Sequence, residues 1–428
     1  MKKSMLTTAL VSAMLFTSPA LLADTNKNAE KEKITKSAKT QKSGWDYSGQ
    51  AAIYYQTTDS QGNGSLFDQG PKSPTEGWAA AAAGFQISAT NKDLGNGIGA
   101  GVELSGISAL GLHNDVVSGL VQNAGGTTDG LTGGVVNQAY LTYNFTKTNL
   151  KIGRQNLPKS LSPFAYTEGW NLFKNSFDAA LLVNSSLENT TLVYAYVTRR
   201  NNSVGNLNDF NKFYDSSGVH MITAQNKSFD GVTLTGSYYS LPSATAAGTA
   251  DAFWLDAKFK VSKAKIELQT GKIGGSAVPE DTKAFGLKLS GKLGQFNTSF
   301  AYSSADDGTL NIANLAGGGV KSPLYTQGVL NQNTIKRDSD SYKIAASMPA
   351  LDGSFTFAYM SSDMGATALP SVFGAGVGGE GTYSEFEIIY KRSLSENTKL
   401  FTAFIRQNDD RQVDEGQNFF RIWARYSL

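Results

Sequence analysis

The chain contains no cysteine, only two histidines (His113 and His220), and ten prolines in 428 residues. Without cysteine there is no disulfide framework, thiolate zinc site or cysteine nucleophile. Two histidines leave little for metal binding or acid–base work. An excess of one charge is also missing. The 38 Lys and Arg against 36 Asp and Glu give a formal charge of +2, too small for a dedicated nucleic-acid binder. After the first residues no stretch of about 18 apolar residues occurs, so the chain is not a helical membrane protein. What is plentiful is glycine, at 45 residues, with 23 Phe and 18 Tyr. Glycine exceeds its usual share of about 7%, yet mean hydropathy is −0.26.

The N-terminus reads as an address. Lys2 and Lys3 precede an apolar stretch from Met5 to Phe16, and Ser18-Pro19-Ala20 and Leu21-Leu22-Ala23 offer two cleavage sites. This predicts a secretory signal peptide over 1–23, with cutting after Ala20 and after Ala23 both open. Its loss removes two Lys and no acid, leaving 36 basic and 36 acidic residues. Residues 24–43 hold six Lys, three acids and one large apolar residue, Ile34. Such a segment cannot bury enough surface to offset its ordering entropy and reads as a flexible arm, with a marginal helix as the competing reading.

From residue 44 to the C-terminus, strict alternation dominates. In 251–261, Phe253, Leu255, Ala257, Phe259 and Val261 fall on one face, and Trp254, Asp256, Lys258 and Lys260 on the other. Period 2 of this quality means strands with different solvents on their two faces. Eighteen such segments are predicted, near 45–57, 78–90, 98–110, 137–146, 149–156, 177–184, 190–200, 218–227, 231–241, 251–261, 264–274, 282–293, 295–304, 340–348, 354–361, 382–392, 398–406 and 418–428. Most have about the length a tilted strand needs to cross a bilayer. Connections alternate between short and long, including long ones at 157–176, 242–250 and 305–339. This predicts an all-β, transmembrane antiparallel barrel with short periplasmic turns and long extracellular loops, its domain spanning 44–428. Every proline after the signal is expected in a loop or turn. A secreted soluble β protein is the rival, but its loops need not alternate in length. In the tail, Phe420, Ile422, Ala424, Tyr426 and Leu428 keep to one face to the last residue. That resembles the C-terminal signal read by the outer-membrane assembly machinery, although the usual final residue is Phe.

A barrel of about 16–18 strands leaves an aqueous channel. Parity places Lys258, Lys288, Lys343, Arg421 and Arg425 inward, with Glu103, Asp178, Asp256, Glu385 and Glu387 as opposing acids. Charged rings in a wet pore set ion preference through the local field. The loop 156–176 carries Pro158, Pro163, Phe164, Tyr166, Trp170 and Phe173. Solvated loops seldom hold so many aromatics without packing them, so this loop is expected to fold inward and constrict the pore, with 305–339 as a second candidate.

GRQ at 153–155, Pro163, Glu168-Gly169-Trp170-Asn171 and the run NSFDAALLVNSSLENTTLVYAYV (175–197) resemble the OprD-like, Opr-type porins of Gram-negative outer membranes. The resemblance implies an eighteen-strand barrel and passive, substrate-preferring diffusion. It also implies a pore narrowed by the third and seventh loops and walled by a basic ladder, with small carboxylate-bearing solutes favoured. It places Arg154 where the wall feeds the constriction loop. Parity alone turns Arg154 outward, so a bulge or a departure of the strand after Gly153 is needed to bring it inward.

Other chemistry is weak. GNGIGAGVE (95–103) continues as a strand rather than opening a helix. The spacing from Gly286 to Lys292 lacks the following Ser or Thr of a phosphate loop, and DSDS at 338–341 lacks a full calcium-loop pattern. No catalytic residue, metal or cofactor is expected. The expected partners are outer-membrane lipid and lipopolysaccharide, small hydrophilic solutes and ions, and the assembly machinery, with no nucleic acid. A homotrimer and a monomer both stay open. An outer-membrane barrel hydrolase and a surface adhesin or structural barrel are the alternatives to a charge-selective diffusion porin.

Overall fold

The computed structural model describes residues 44–428 except 60–64, 69–78, 113–115, 118, 126–132, 203, 214–217, 246–247, 316–320, 372–376 and 413–415. The expected signal peptide and arm, and His113, therefore lie outside the described residues. Eighteen long strands run from Asp46–Thr58 to Gly416–Ser427, each matching one of the eighteen expected segments. Every sequential pair is antiparallel. The ring closes where Asp46–Thr58 pairs with Gly416–Ser427, from Gln50↔Ser427 to Thr58↔Phe419. Closure leaves the eighteen-strand ring no free edge, so each of its strands finds a ladder partner on both sides. Among the described residues there is no helix.

The two faces divide as the alternation predicts. Ile53, Phe85, Ile87, Leu141, Ile152, Ile222 and Ile344 are exposed on the outer face. Among the described residues no apolar core fills the middle. Buried apolar clusters instead lie between the inner wall and two loops folded into the barrel. One joins Phe164 of the 156–176 loop and Ile312 and Leu324 of the 306–338 loop to Tyr239 and Trp254 of the wall. A second joins Leu172 and Phe173 to Tyr54 and Ile107. A third joins Val329 and Leu330 to Phe401, Ile405 and Phe419.

Two details correct the sequence reading. The fifth long loop is not a loop over 242–250. The hairpin Val232–Thr245 and Gly248–Val261 extends beyond the expected strand ends. Pro242 sits in that extension, within a register irregularity between Leu241 and Thr245 where the missing N–H breaks no regular ladder. Pro349 also lies in a strand, Ser339–Ala350. It faces Ser354, one step from the turn formed by Leu351 and Asp352, both at positive φ. Its nitrogen is directed toward the neighbouring strand Phe296–Ala305, whose ladder has already ended at Asn297↔Ser347.

Candidate functional site

One cross-strand row carries much of the inner charge. Register aligns Lys258↔Glu267, Glu267↔Lys288, Lys288↔Ala301, Ala301↔Lys343, Lys343↔Met360 and Met360↔Glu385 around the wall. Lys258 Nζ lies 3.4 Å from Asp256 and 3.7 Å from Glu267, and Lys288 Nζ lies 3.6 Å from Glu267. These side chains face a cavity of about 1620 Å³ inside the barrel. Among the described residues twelve Lys or Arg line it against five Asp or Glu, so the open part of the lumen is basic although the whole chain is nearly neutral.

The roof of this cavity is built from the two loops. Pro163, Tyr166 and Trp170 line it. Phe164 does not; it is buried in the wall, edge-on to Tyr239 at 5.5 Å and to Trp254 at 5.2 Å, with its N–H donating to the Tyr239 hydroxyl at 3.2 Å. Pro158 is exposed at the start of the loop. Arg425 lines the cavity and donates to the Asn171 carbonyl at 2.6 Å, tying the loop to the last strand. The two loops also grip each other. Glu168 Oε1 accepts from the Lys321 N–H at 3.0 Å and from Asn314 Nδ2 at 3.0 Å. Lys321 in turn sets its ammonium 4.5 Å over the Trp170 ring. Burial pulls Lys321 down to about 8, opposed by the Glu168 carboxylate. Lys336 is pulled down to about 8 by the same cause. Tyr325 donates to Asp256 at 2.7 Å, so burial and that carboxylate hold its hydroxyl protonated, well above the usual range.

Several expected pore-lining residues are placed elsewhere. Arg154 and Asp178 face outward. The strand Thr148–Gln155 keeps unbroken register with both neighbours, so Arg154 stays on the face of Ile152. No bulge turns it inward. It is one residue from the loop end of its strand, paired with Asp178 at 2.8 Å, bonded to the Val136 carbonyl at 3.0 Å and stacked 3.3 Å over Phe210. Near the interface the lipid-face cost of an Arg falls to about 0–1 kcal/mol, and the ion pair offsets it further. Glu385 and Glu387 point inward but are buried beneath the 306–338 loop and line no open water. Lys343 is likewise engaged with that loop, donating to the Gln327 carbonyl at 2.9 Å. Arg421 bonds Gln56 at 3.1 Å and lies over Tyr54. Glu103 faces inward among Gln86, Lys151 and Lys174. His220 sits on the outer face, bonded to Tyr194 at 3.0 Å and 4.7 Å from the Tyr196 ring.

The alternation places Trp254 on the polar face, but sequence reasoning misses the rest of the aromatic inner face: Tyr54, Tyr239, Tyr383, Phe401 and Trp423. Each shares its parity with polar neighbours, as Trp254 does with Asp256 and Lys258. A large ring on a water-facing parity is the signal of a loop packed against it.

A closed eighteen-strand barrel with an apolar skin and a wet, basic interior defines a transmembrane channel. A family model described as Gram-negative porin matches residues 7–412, and the chain belongs to that family. No curated protein matches it. Its fold is similar to Pseudomonas aeruginosa OccK8 (OprE), at 13% identity and TM-score 0.68 over 90% of this chain and 98% of that one. Acinetobacter baumannii OccAB3 gives 12% identity and TM-score 0.68 over 90% and 99%. Pseudomonas aeruginosa OccK3 (OpdO) gives 16% identity and TM-score 0.65 over 90% and 96%. The protein is an outer-membrane diffusion channel and not an enzyme.

Proposed function

We propose that the channel favours small anionic, carboxylate-bearing solutes over cations. The carrying observation is the composition of the cavity lining, twelve basic residues to five acidic. The acids there are partly spoken for. Glu267 lies between Lys258 and Lys288, and Asp256 accepts from Tyr325. A field of this sign raises the local concentration of anions and lowers that of cations. Passage is diffusion down a gradient, with no covalent step. Residues 1–23 direct export, and the 24–43 arm stays on the periplasmic side.

The test is the reversal potential across a salt gradient in a planar bilayer. The native channel should be anion-selective, and Lys258→Glu with Lys288→Glu should move it toward cations by several-fold in permeability ratio. An unchanged reversal potential in the double variant would show that these lysines do not set the preference.

A further inference from the structure

The long loop is held at one point by two acids. Glu385 and Glu387 sit on the inner face of Gly381–Ser393 and are almost wholly buried. The Val329 N–H donates to both, at 3.0 Å to Glu385 Oε1 and 2.5 Å to Glu387 Oε1. The Leu330 N–H reaches Glu385 Oε1 at 3.1 Å, and the Tyr383 hydroxyl donates to Glu385 Oε2 at 2.8 Å. Both carboxyl groups thus converge on one amide out of water, where two full negative charges side by side are costly unless one carboxyl keeps a proton.

The opposite side of the same segment is gripped by cations. Lys321 Nζ donates to the carbonyls of Gly328 and Val329 at 2.8 and 3.2 Å. Lys343 Nζ bonds the Gln327 carbonyl and lies 4.0 Å from Glu387 Oε2. Lys391, Arg421 and the Asp409–Arg411 pair act from further away. Gly328 permits the approach. A Cβ there would meet Met360 Sδ and stand 3.0 and 3.1 Å from the two carboxyl oxygens.

We propose that Glu385 and Glu387 form a shared-proton latch that fixes the 326–331 segment against the wall and thereby sets the bore. With one proton between them, the pair presents a single negative charge to Lys321 and Lys343. Loss of that proton leaves two adjacent anions crowded around the Val329 N–H, and like charges repel strongly when desolvated. The latch then opens. This rests on the chain being a diffusion channel and is independent of its anion preference.

The experiment is single-channel conductance of the full mature chain, read from about pH 6 to about pH 10 to span carboxyl and lysine titrations. The native channel should be steady at the acid end and rise roughly two-fold, with more flicker, toward the alkaline end. Glu385→Gln is isosteric with the protonated form and should keep the acid-end conductance throughout. Glu385→Ala with Glu387→Ala should show the open conductance at every pH. If the alanine pair does not fold, the Glu385→Gln profile decides alone. A native trace flat across the range overturns the proposal. So does a step that persists in Glu385→Gln and disappears in Lys321→Met, which would assign it to the lysine. Selectivity is read separately by reversal potential, so failure of either reading leaves the other standing.

Discussion

Both infolded loops combine apolar and polar contacts, but the fastenings at their tips differ. The 156–176 loop is nailed by rings. Phe164 enters between Tyr239 and Trp254, and Phe173 lies against the strand Ala80–Gly95. The 321–331 stretch is fastened at its tip by Glu385 and Glu387 on the amide side and Lys321 on the carbonyl side. Apolar anchoring responds little to pH or salt, because it draws on area removed from water. Buried polar anchoring depends on every charge having its partner, and it fails abruptly when one is lost. One pore thus carries a fixed restriction and an adjustable one.

The contrast can be broken first at its strongest point. Phe164→Ala should cost about 3–5 kcal/mol, the scale of a buried ring replaced by a cavity. Urea unfolding of the detergent-folded barrel would show it, with conductance raised at every pH rather than only at the alkaline end. A pH-dependent rise would mean that the two loops move together. A smaller effect is expected at Gly84. A side chain there would press on the Gly106 carbonyl and come within 2.6 Å of the Phe173 ring. Gly84→Val should cost about 1–3 kcal/mol by overpacking. Normal stability would show that Phe173 has room to retreat. The smallest effect belongs to an exposed polar fastening, the Lys272–Asp281 pair at 2.5 Å. The Lys272 hydrogen bond, with the Gly275 N–H, holds Asp281 below the usual carboxylate range. Any stability it adds is present above that range and fades as pH falls through the lowered value. Solvent screening makes it small. Asp281→Asn should leave the unfolding midpoint unchanged at neutral pH, and a clear drop would show that burial is not what separates strong polar anchors from weak ones.

Parity made the strands legible because lipid and water demand opposite side chains at each step. That is why the alternation alone sets Phe253, Leu255 and Val261 outward and Asp256 and Lys258 inward. The same rule described the outward side of Arg154, and the family-based expectation that a bulge would reverse it is what the register corrects. Parity could not say what an inward side chain meets. Lys258 meets water, whereas Glu385, on the same cross-strand row, meets the backbone of a loop some fifty residues before it in the chain. Tyr383, Glu385 and Glu387, three inward groups rich in acid and a ring, were a readable hint of something packed above them.

The sequence by itself determined the barrel, its strand number and the division between skin and lumen, because those follow from local period and from the two solvents. Only the tertiary structure decided which inward groups stay wet and which become fastenings for the loops. That choice depends on long-range contacts, such as Glu168 with Lys321 or Val329 with Glu387. Their partners are far apart along the chain, and no local pattern pairs them.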